Sequence, residues 1–265
     1  MKKEFIEFKN EILRRFAPKA IQIPITKFIG KRCKIGVISD THLGSLHENI
    51  GLLLTAYSIF EREKVQAIYH AGDLCEGERM FRGQEYEIYA HGADAQVKNC
   101  VDKYPVSKIP TYFILGSHDL SFFKTSGIDI GTQIADKRPE LHYCGREVAD
   151  IRVKLNGHTI KIRLVHPGKG SAYAVSYYLQ KHIEALTGGE KPNILIQGHT
   201  HKSIFIFYRN IFALQAGTCQ HQTPFMQRQG LAAHQGFWII EFAVNNEGSV
   251  CSFRCEFFPH YEEEK

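Results

Sequence analysis

The chain has 265 residues, 43% of them hydrophobic, and a formal net charge of +5, which is material for one large domain or two small ones. No run approaches the roughly 18 uninterrupted apolar residues of a membrane span, and the charged opening MKKEFIEFKNEILRRF has no apolar signal core, so a cytoplasmic location without membrane attachment is expected. The seven cysteines are an odd number without a CxxC pair, which argues against a disulfide framework and a thiolate zinc site; the charge permits a nucleic-acid partner, but no Lys/Arg block demands one.

Phe5, Ile6, Phe8, Ile12, Leu13 and Phe16 fall at helical spacing and Pro18 stops the pattern, so residues 1–30 are expected to be a helical extension packed on a core of residues 31–265. The strand-like KIGVISD breaks at Asp40, and the apolar positions Leu52, Leu53, Ala56, Tyr57 and Phe60 predict a helix over 50–60. VQAIYHAGD and IPTYFILGSHD repeat the form of an apolar run with a polar break. Asn156 and Gly157 then separate two alternating runs, a type I′ hairpin signal that pairs Val153 with Ile160 and Ile151 with Ile162. Residues 171–186 read as a helix capped by Ser171 and closed by Gly188 and Gly189. After the strand NILIQ the chain reads as β, ending in SVCSFRCEFF with Cys251, Phe253, Cys255 and Phe257 on one side. Alternating βα units followed by antiparallel strands predict an α/β single domain.

Five of the strand-like runs end in metal-ligand residue types: Asp40 and His42; Asp73; Ser117, His118 and Asp119; His166; and His199 and His201. Singly, each has a bland reading as a helix cap, a turn or a satisfied interior histidine. Jointly they predict one site, because loops at the carboxyl ends of strands share an edge of an α/β sheet. Carboxylate with neutral imidazole suits Mn²⁺, Fe, Co²⁺ or Zn²⁺ better than Ca²⁺ or Mg²⁺, and Asp73, alone after its strand, is the candidate to bridge two ions. Such a pair holds a phosphoryl oxygen and polarises a shared water into a nucleophile, so hydrolysis of a phosphate ester is the reaction class expected.

The series SDTH, AGD, GSHD, VHPG and GHTH resembles the calcineurin-like metallophosphoesterase superfamily, whose pattern is DxH, GD, GNH(D/E), H and GHxH. The resemblance implies a four-layer αββα sandwich and two divalent transition-metal ions, manganese first, with iron, cobalt, nickel or zinc as alternatives. It also implies roles. Asp40, His42 and His201 hold one ion, Asp73 bridges, His166 and His199 hold the other, His118 acts on the substrate, and Asp119 orients the His118 ring and biases it toward the protonated form.

Ser117 stands where that family has asparagine. A serine hydroxyl is shorter and a poorer ligand, so water fills the position, or the second ion binds weakly, or the residue marks an inactive variant; weakened but real binding is the reading adopted. The stretches RGQEYE, SAYAVSYYLQK and QTPFMQRQGLAAHQG are similar to DNA-repair-exonuclease-like phosphoesterases, which implies a phosphodiesterase or nuclease acting on nucleic acid. A small-molecule or nucleotide phosphodiesterase or phosphatase and a scaffold with a relict site are the alternatives. Arg82 and Gln84 are expected to line the cleft, and Lys169 and Ser171 to hold substrate at the start of the helix after His166. A protein partner or a homo-oligomer is compatible with so short a nuclease.

Overall fold

The computed structural model describes residues 26–27, 30–168 and 172–261, so the helix expected over residues 2–16 lies outside the described residues. Strands β2 (Arg32–Ile38), β3 (Ala67–His70) and β4 (Thr111–Leu115) are short apolar runs, and β3 and β4 are buried at every position. That is how a parallel strand covered on both faces reads. They pair in parallel with one another and with β5 (Leu141–Arg146), while β11 (Gly236–Val244) and β12 (Val250–Pro259) add antiparallel at the other edge. The sheet order is β12-β11-β2-β3-β4-β5.

A second sheet is built from β1 (Thr26–Lys27), β6 (Val148–Leu155), β7 (His158–Val165), β8 (Ile194–Gln197), β9 (Ser203–Tyr208) and β10 (Ile211–Ala216), in the order β1-β6-β7-β8-β10-β9. Thr26 and Lys27, inside the stretch expected as a helical extension, form a two-residue strand parallel to β6. The β6–β7 hairpin turns at Asn156 (φ 51°) and Gly157 (φ 78°), the two positive φ angles a type I′ turn requires. Its register is the one predicted, Ile151 opposite Ile162 and Val153 opposite Ile160.

The sheets face each other across a core that includes Ile35, Val37, Tyr69 and Ile114 of the first and Ile151, Ile162, Ile196 and Leu214 of the second. Helix α1 (Ile50–Arg62) buries Leu52, Leu53, Ala56, Tyr57 and Phe60, the five positions predicted, against the other face of the first sheet, joined by α2 (Ala93–Lys103) and α4 (Ile130–Lys137). On the far side α5 (Tyr177–Ala185) seats Leu179 and Ile183 on Leu195, Ile211 and Ala213. The layers are therefore α, β, β, α in a single domain, the sandwich that the motifs imply. No helix among the described residues is long and apolar enough to cross a membrane.

Two expectations shift. The helix predicted over 171–186 begins only at Tyr177, because Tyr173 and Val175 are exposed and the first residue of it with a sheet beneath is Leu179; packing rather than propensity sustains so short a helix. In β12, Cys251 is exposed while Phe253, Cys255 and Phe257 pack on the core, since the register with β11 slips between Ala243 and Val244. Helices α3 (Leu120–Ser126) and α6 (Pro224–Gln229) are too short to show a helical period in sequence.

Candidate metal centre

Two residues beyond β2 stands Asp40, three beyond β3 stands Asp73, and Ser117 and His118 follow β4; from the other sheet, His166 directly follows β7, and His199 and His201 follow β8. These carboxyl ends converge. Oδ1 of Asp40 lies 3.2 Å from Nε2 of His201, and Nε2 of His42 lies 3.2 Å from the same nitrogen. Oδ2 of Asp73 lies 2.9 Å from Nε2 of His166 and 4.0 Å from Nε2 of His42. Asp40, His42 and His201 form one group of donors whose ligand atoms lie within 4.8 Å of one another, and Asp73, His166 and His199 form a second. Asp73 belongs to the second group and reaches toward the first, its Oδ2 4.0 Å from His42 Nε2, while His42, Glu76 and His118 form a third group.

The backbone is bent to present these side chains. Asp40, His42, Asp73, His199 and His201 all have φ between 47° and 77°, a region a non-glycine residue visits at a cost of roughly 1–3 kcal/mol. Hydrogen bonds hold them there: Asp40 N–H donates to Gly72 O (3.0 Å), His42 N–H to Asp73 O (3.1 Å), and His199 N–H to the Asp40 carboxylate (3.1 Å). At Gly116 the approach is so close that a Cβ would sit 2.2 Å from Asp73 Oδ1, which is why glycine precedes the polar cluster after β4.

The donor set fits a cation. His166 donates Nδ1–H to Ala71 O (2.8 Å), which leaves Nε2 as a buried lone pair facing Asp73 without a hydrogen bond. His42 Nδ1 is held by Glu76 Oε2 (2.9 Å), which likewise turns its Nε2 lone pair toward His201. Lone pairs of carboxylate and imidazole pointing at one another in a buried site need a positive centre between them. Without one, the charges fall on the protein. Burial opposes the ionised form of Asp40 and Asp73, yet the neighbouring histidines, His201 for Asp40 and His166 for Asp73, hold both carboxyls well below their usual range. Burial works against a charged His166, but Asp73 and then Asp40 raise its pKa to about 9. His199 is lowered to about 4 by burial and by His166, so it stays a neutral donor.

Residues beyond the predicted set complete the site. Glu76 is 2% exposed. It fixes the His42 tautomer, accepts from Gln84 Nε2 (2.8 Å) and Gln220 Nε2 (3.1 Å), and its backbone oxygen accepts His118 Nδ1–H at 2.5 Å. The signal for it in sequence was an acid three residues after Asp73, of the kind a metal-bound imidazole needs behind it. Ser117 is buried and its hydroxyl reaches Asp73 Oδ2 at 3.5 Å.

Three expected roles change. Asp119 does not touch the His118 ring; its carboxylate accepts N–H groups from Leu74 (3.1 Å), Cys75 (2.8 Å) and Gly116 (2.9 Å), tying the loops after β3 and β4 together. Burial lowers the pKa of His118 below its usual value, the opposite of the protonated bias expected. Gln84 is wholly buried behind Glu76 rather than at a cleft wall, and Arg82 is exposed and absent from the cavity lining. Lys169 and Ser171 lie outside the described residues. Beside the centre is a cavity of about 250 Å³, bounded by His42, Asp73, His118, His199 and His201 on one side and by Phe81 and residues of α6 on the other.

Residues 33–233 match the family model of the calcineurin-like phosphoesterase superfamily domain. Curated proteins yield no match to this sequence. Among solved structures, a novel archaeal phosphodiesterase is 18% identical, with 85% of this chain and 99% of that one covered at a TM-score of 0.45. The phosphoesterase Yfce from E. coli is 16% identical over 83% and 98% of the two chains, TM-score 0.43. A putative 5′-nucleotidase from Staphylococcus aureus is 12% identical over 88% of this chain and 55% of its own, TM-score 0.48.

Proposed function

The chain belongs to the calcineurin-like phosphoesterase superfamily, and from that premise we propose that it hydrolyses phosphodiesters at a centre of two divalent transition-metal ions. The observation that carries this reading is the Asp73 carboxylate, which belongs to one group of donors and reaches the other, 2.9 Å from His166 Nε2 and 4.0 Å from His42 Nε2. Asp40, His42 and His201 would hold one ion and His166 and His199 the other, with Asp73 serving both. When bound, such a pair supplies Lewis-acid polarisation of the phosphoryl oxygens and a water acidic enough to attack at neutral pH. Manganese is the ion to supply first, with iron, cobalt, nickel and zinc beside it.

The protein's own groups do the rest. His118 donates Nδ1–H to Glu76 O, which turns Nε2 into the cavity it lines; as the neutral ring it accepts a proton there, and only as the imidazolium does it donate to an ester oxygen. Glu76 and the backbone oxygen of Ala71 fix the tautomers of His42 and His166, so their lone pairs need no reorientation on binding. Ser117, whose hydroxyl reaches Asp73 Oδ2, would offer a second ion a weaker ligand than an amide oxygen, and that ion would be held less tightly as a result.

A cavity of about 250 Å³ without a described Lys or Arg in its lining favours a small phosphodiester. A nuclease is the second reading, and the net charge of +5 favours it. Initial rates on bis(p-nitrophenyl) phosphate and on linear DNA with Mn²⁺, at rising NaCl, separate the two. The small-diester reading expects hydrolysis of the chromogenic ester with little salt dependence. DNA cleavage that falls steeply with salt would instead establish the nuclease, because phosphate contacts release counterions.

A further inference from the structure

The cavity beside the centre has two unlike walls. One is the imidazoles and carboxylates already described. The other is apolar: Phe81, from the loop after β3, stacks on Phe225 of α6 with ring centroids 4.3 Å apart and planes 18° from parallel, and Met226 and Leu231 continue the surface. Each of these four side chains is half-buried. The wall is fixed rather than loose, since Thr223 caps α6 by accepting Met226 N–H (3.1 Å) and the aromatic stack ties the helix to the opposite loop. Two polar side chains of the lining are already engaged: Gln220 donates to Glu76 and Ser45, and Thr223 accepts Met226 N–H.

Such a wall selects by chemistry. A second phosphate or a sugar laid on it would lose water without gaining a partner, because no described Lys or Arg lines the cavity. A flat apolar group meets aromatic carbon and the adaptable thioether of Met226. We propose that this cavity is a substituent subsite, in which one ester arm of the substrate, a single flat apolar ring, lies against Phe225, Met226 and Leu231 while its phosphoryl group faces His118 and the donors of the centre. The proposal rests on the phosphodiesterase reading above and narrows its substrate to esters carrying such a ring.

Isothermal titration of the Mn²⁺-loaded full chain with methylphosphonate and phenylphosphonate tests it, since the two probes share a head group and differ by the ring. The expected result is phenylphosphonate binding about ten-fold tighter or more, with that ratio falling at least three-fold in Met226→Ala and in Leu231→Ala. Circular dichroism on each variant confirms that it is folded. Equal binding of the two probes, or a ratio that neither variant moves, overturns the subsite and leaves the phosphoryl centre standing. Binding of neither probe overturns the phosphodiesterase reading with it. Thymidine 5′-phosphate, whose ring is polar and set on a sugar, is expected to bind more weakly than phenylphosphonate, and tighter binding would overturn the apolar ring in favour of a nucleobase.

Discussion

Nδ1 of His42 lies 2.9 Å from Oε2 of Glu76, and that contact decides which imidazole nitrogen faces the metal centre. Glu76 in turn is held by Gln84 and Gln220, so three buried side chains act together to aim one ligand. Replacing Glu76 with Gln removes the charge behind the ring and leaves one oxygen, beside an NH2 donor, where two carboxylate oxygens accept from His42, Gln84 and Gln220. Metal affinity should fall roughly 10–100-fold, the usual effect of losing a partner behind a ligand, with the fold intact. Titration of the metal-free protein with Mn²⁺ reads this directly, and an unchanged binding curve would show that Glu76 has no such role.

Ser117→Asn adds an amide oxygen beside Asp73. Its expected effect is the reverse: the Mn²⁺ concentration for half-maximal hydrolysis of bis(p-nitrophenyl) phosphate should drop by about ten-fold, on the scale of a gained or lost partner at such a centre. A rate that rises at saturating metal without any change in that midpoint would place Ser117 in substrate contact instead.

Asp119 accepts three backbone N–H groups from two loops. Asp119→Asn turns one acceptor into a donor facing those amides, and a cost of about 3 kcal/mol is expected from charge-assisted bonds lost and an amide left unpaired. Urea unfolding of the two proteins measures it. A purely catalytic role would lower the rate and leave the midpoint where it was.

His70, which is not among the ligands, carries a pH dependence of its own. Its Nδ1 accepts Gly72 N–H (3.2 Å) and its Nε2–H faces Thr41 Oγ1 (3.2 Å), which itself donates to Leu74 O. Burial is the main reason its pKa drops to about 3 from an ordinary 6.5. The unfolded chain therefore takes up a proton near pH 6.5 that the folded chain refuses until about pH 3, and stability is lost as pH falls through that window. By pH 5 the loss from this one group is about 2 kcal/mol. His70→Gln should lose less stability between pH 7 and pH 5 than the parent, as followed by urea midpoints; equal losses would remove His70 from the account.

Much of this was legible in the sequence because the signals were local. The period of α1 and the Asn156–Gly157 turn each state their own structure, and the αββα sandwich is what the family resemblance carried by the motifs implies. What the sequence did not carry is contact between distant loops. Glu76 meets His42 from 34 positions away, and Gln220 meets Glu76 from 144. Asp119 sits next to His118 in the chain, and that adjacency misled: the carboxylate turns to the loop after β3 while the histidine ring turns to Glu76 O. Likewise the apolar residues of α6 lie in a glutamine-rich stretch whose sequence leaves open whether it closes one side of the cleft or is a surface connection; the stack of Phe225 on Phe81 decides for the cleft.

Equilibrium dialysis of the parent and of Asp73→Asn against Mn²⁺, read as ions bound per chain, tests the central claim most directly. The account predicts two ions on the parent and weaker, incomplete loading of the variant, because the carboxylate shared by both groups of donors has lost its charge. No stoichiometric binding by the parent, or two ions held equally tightly by Asp73→Asn, would contradict it.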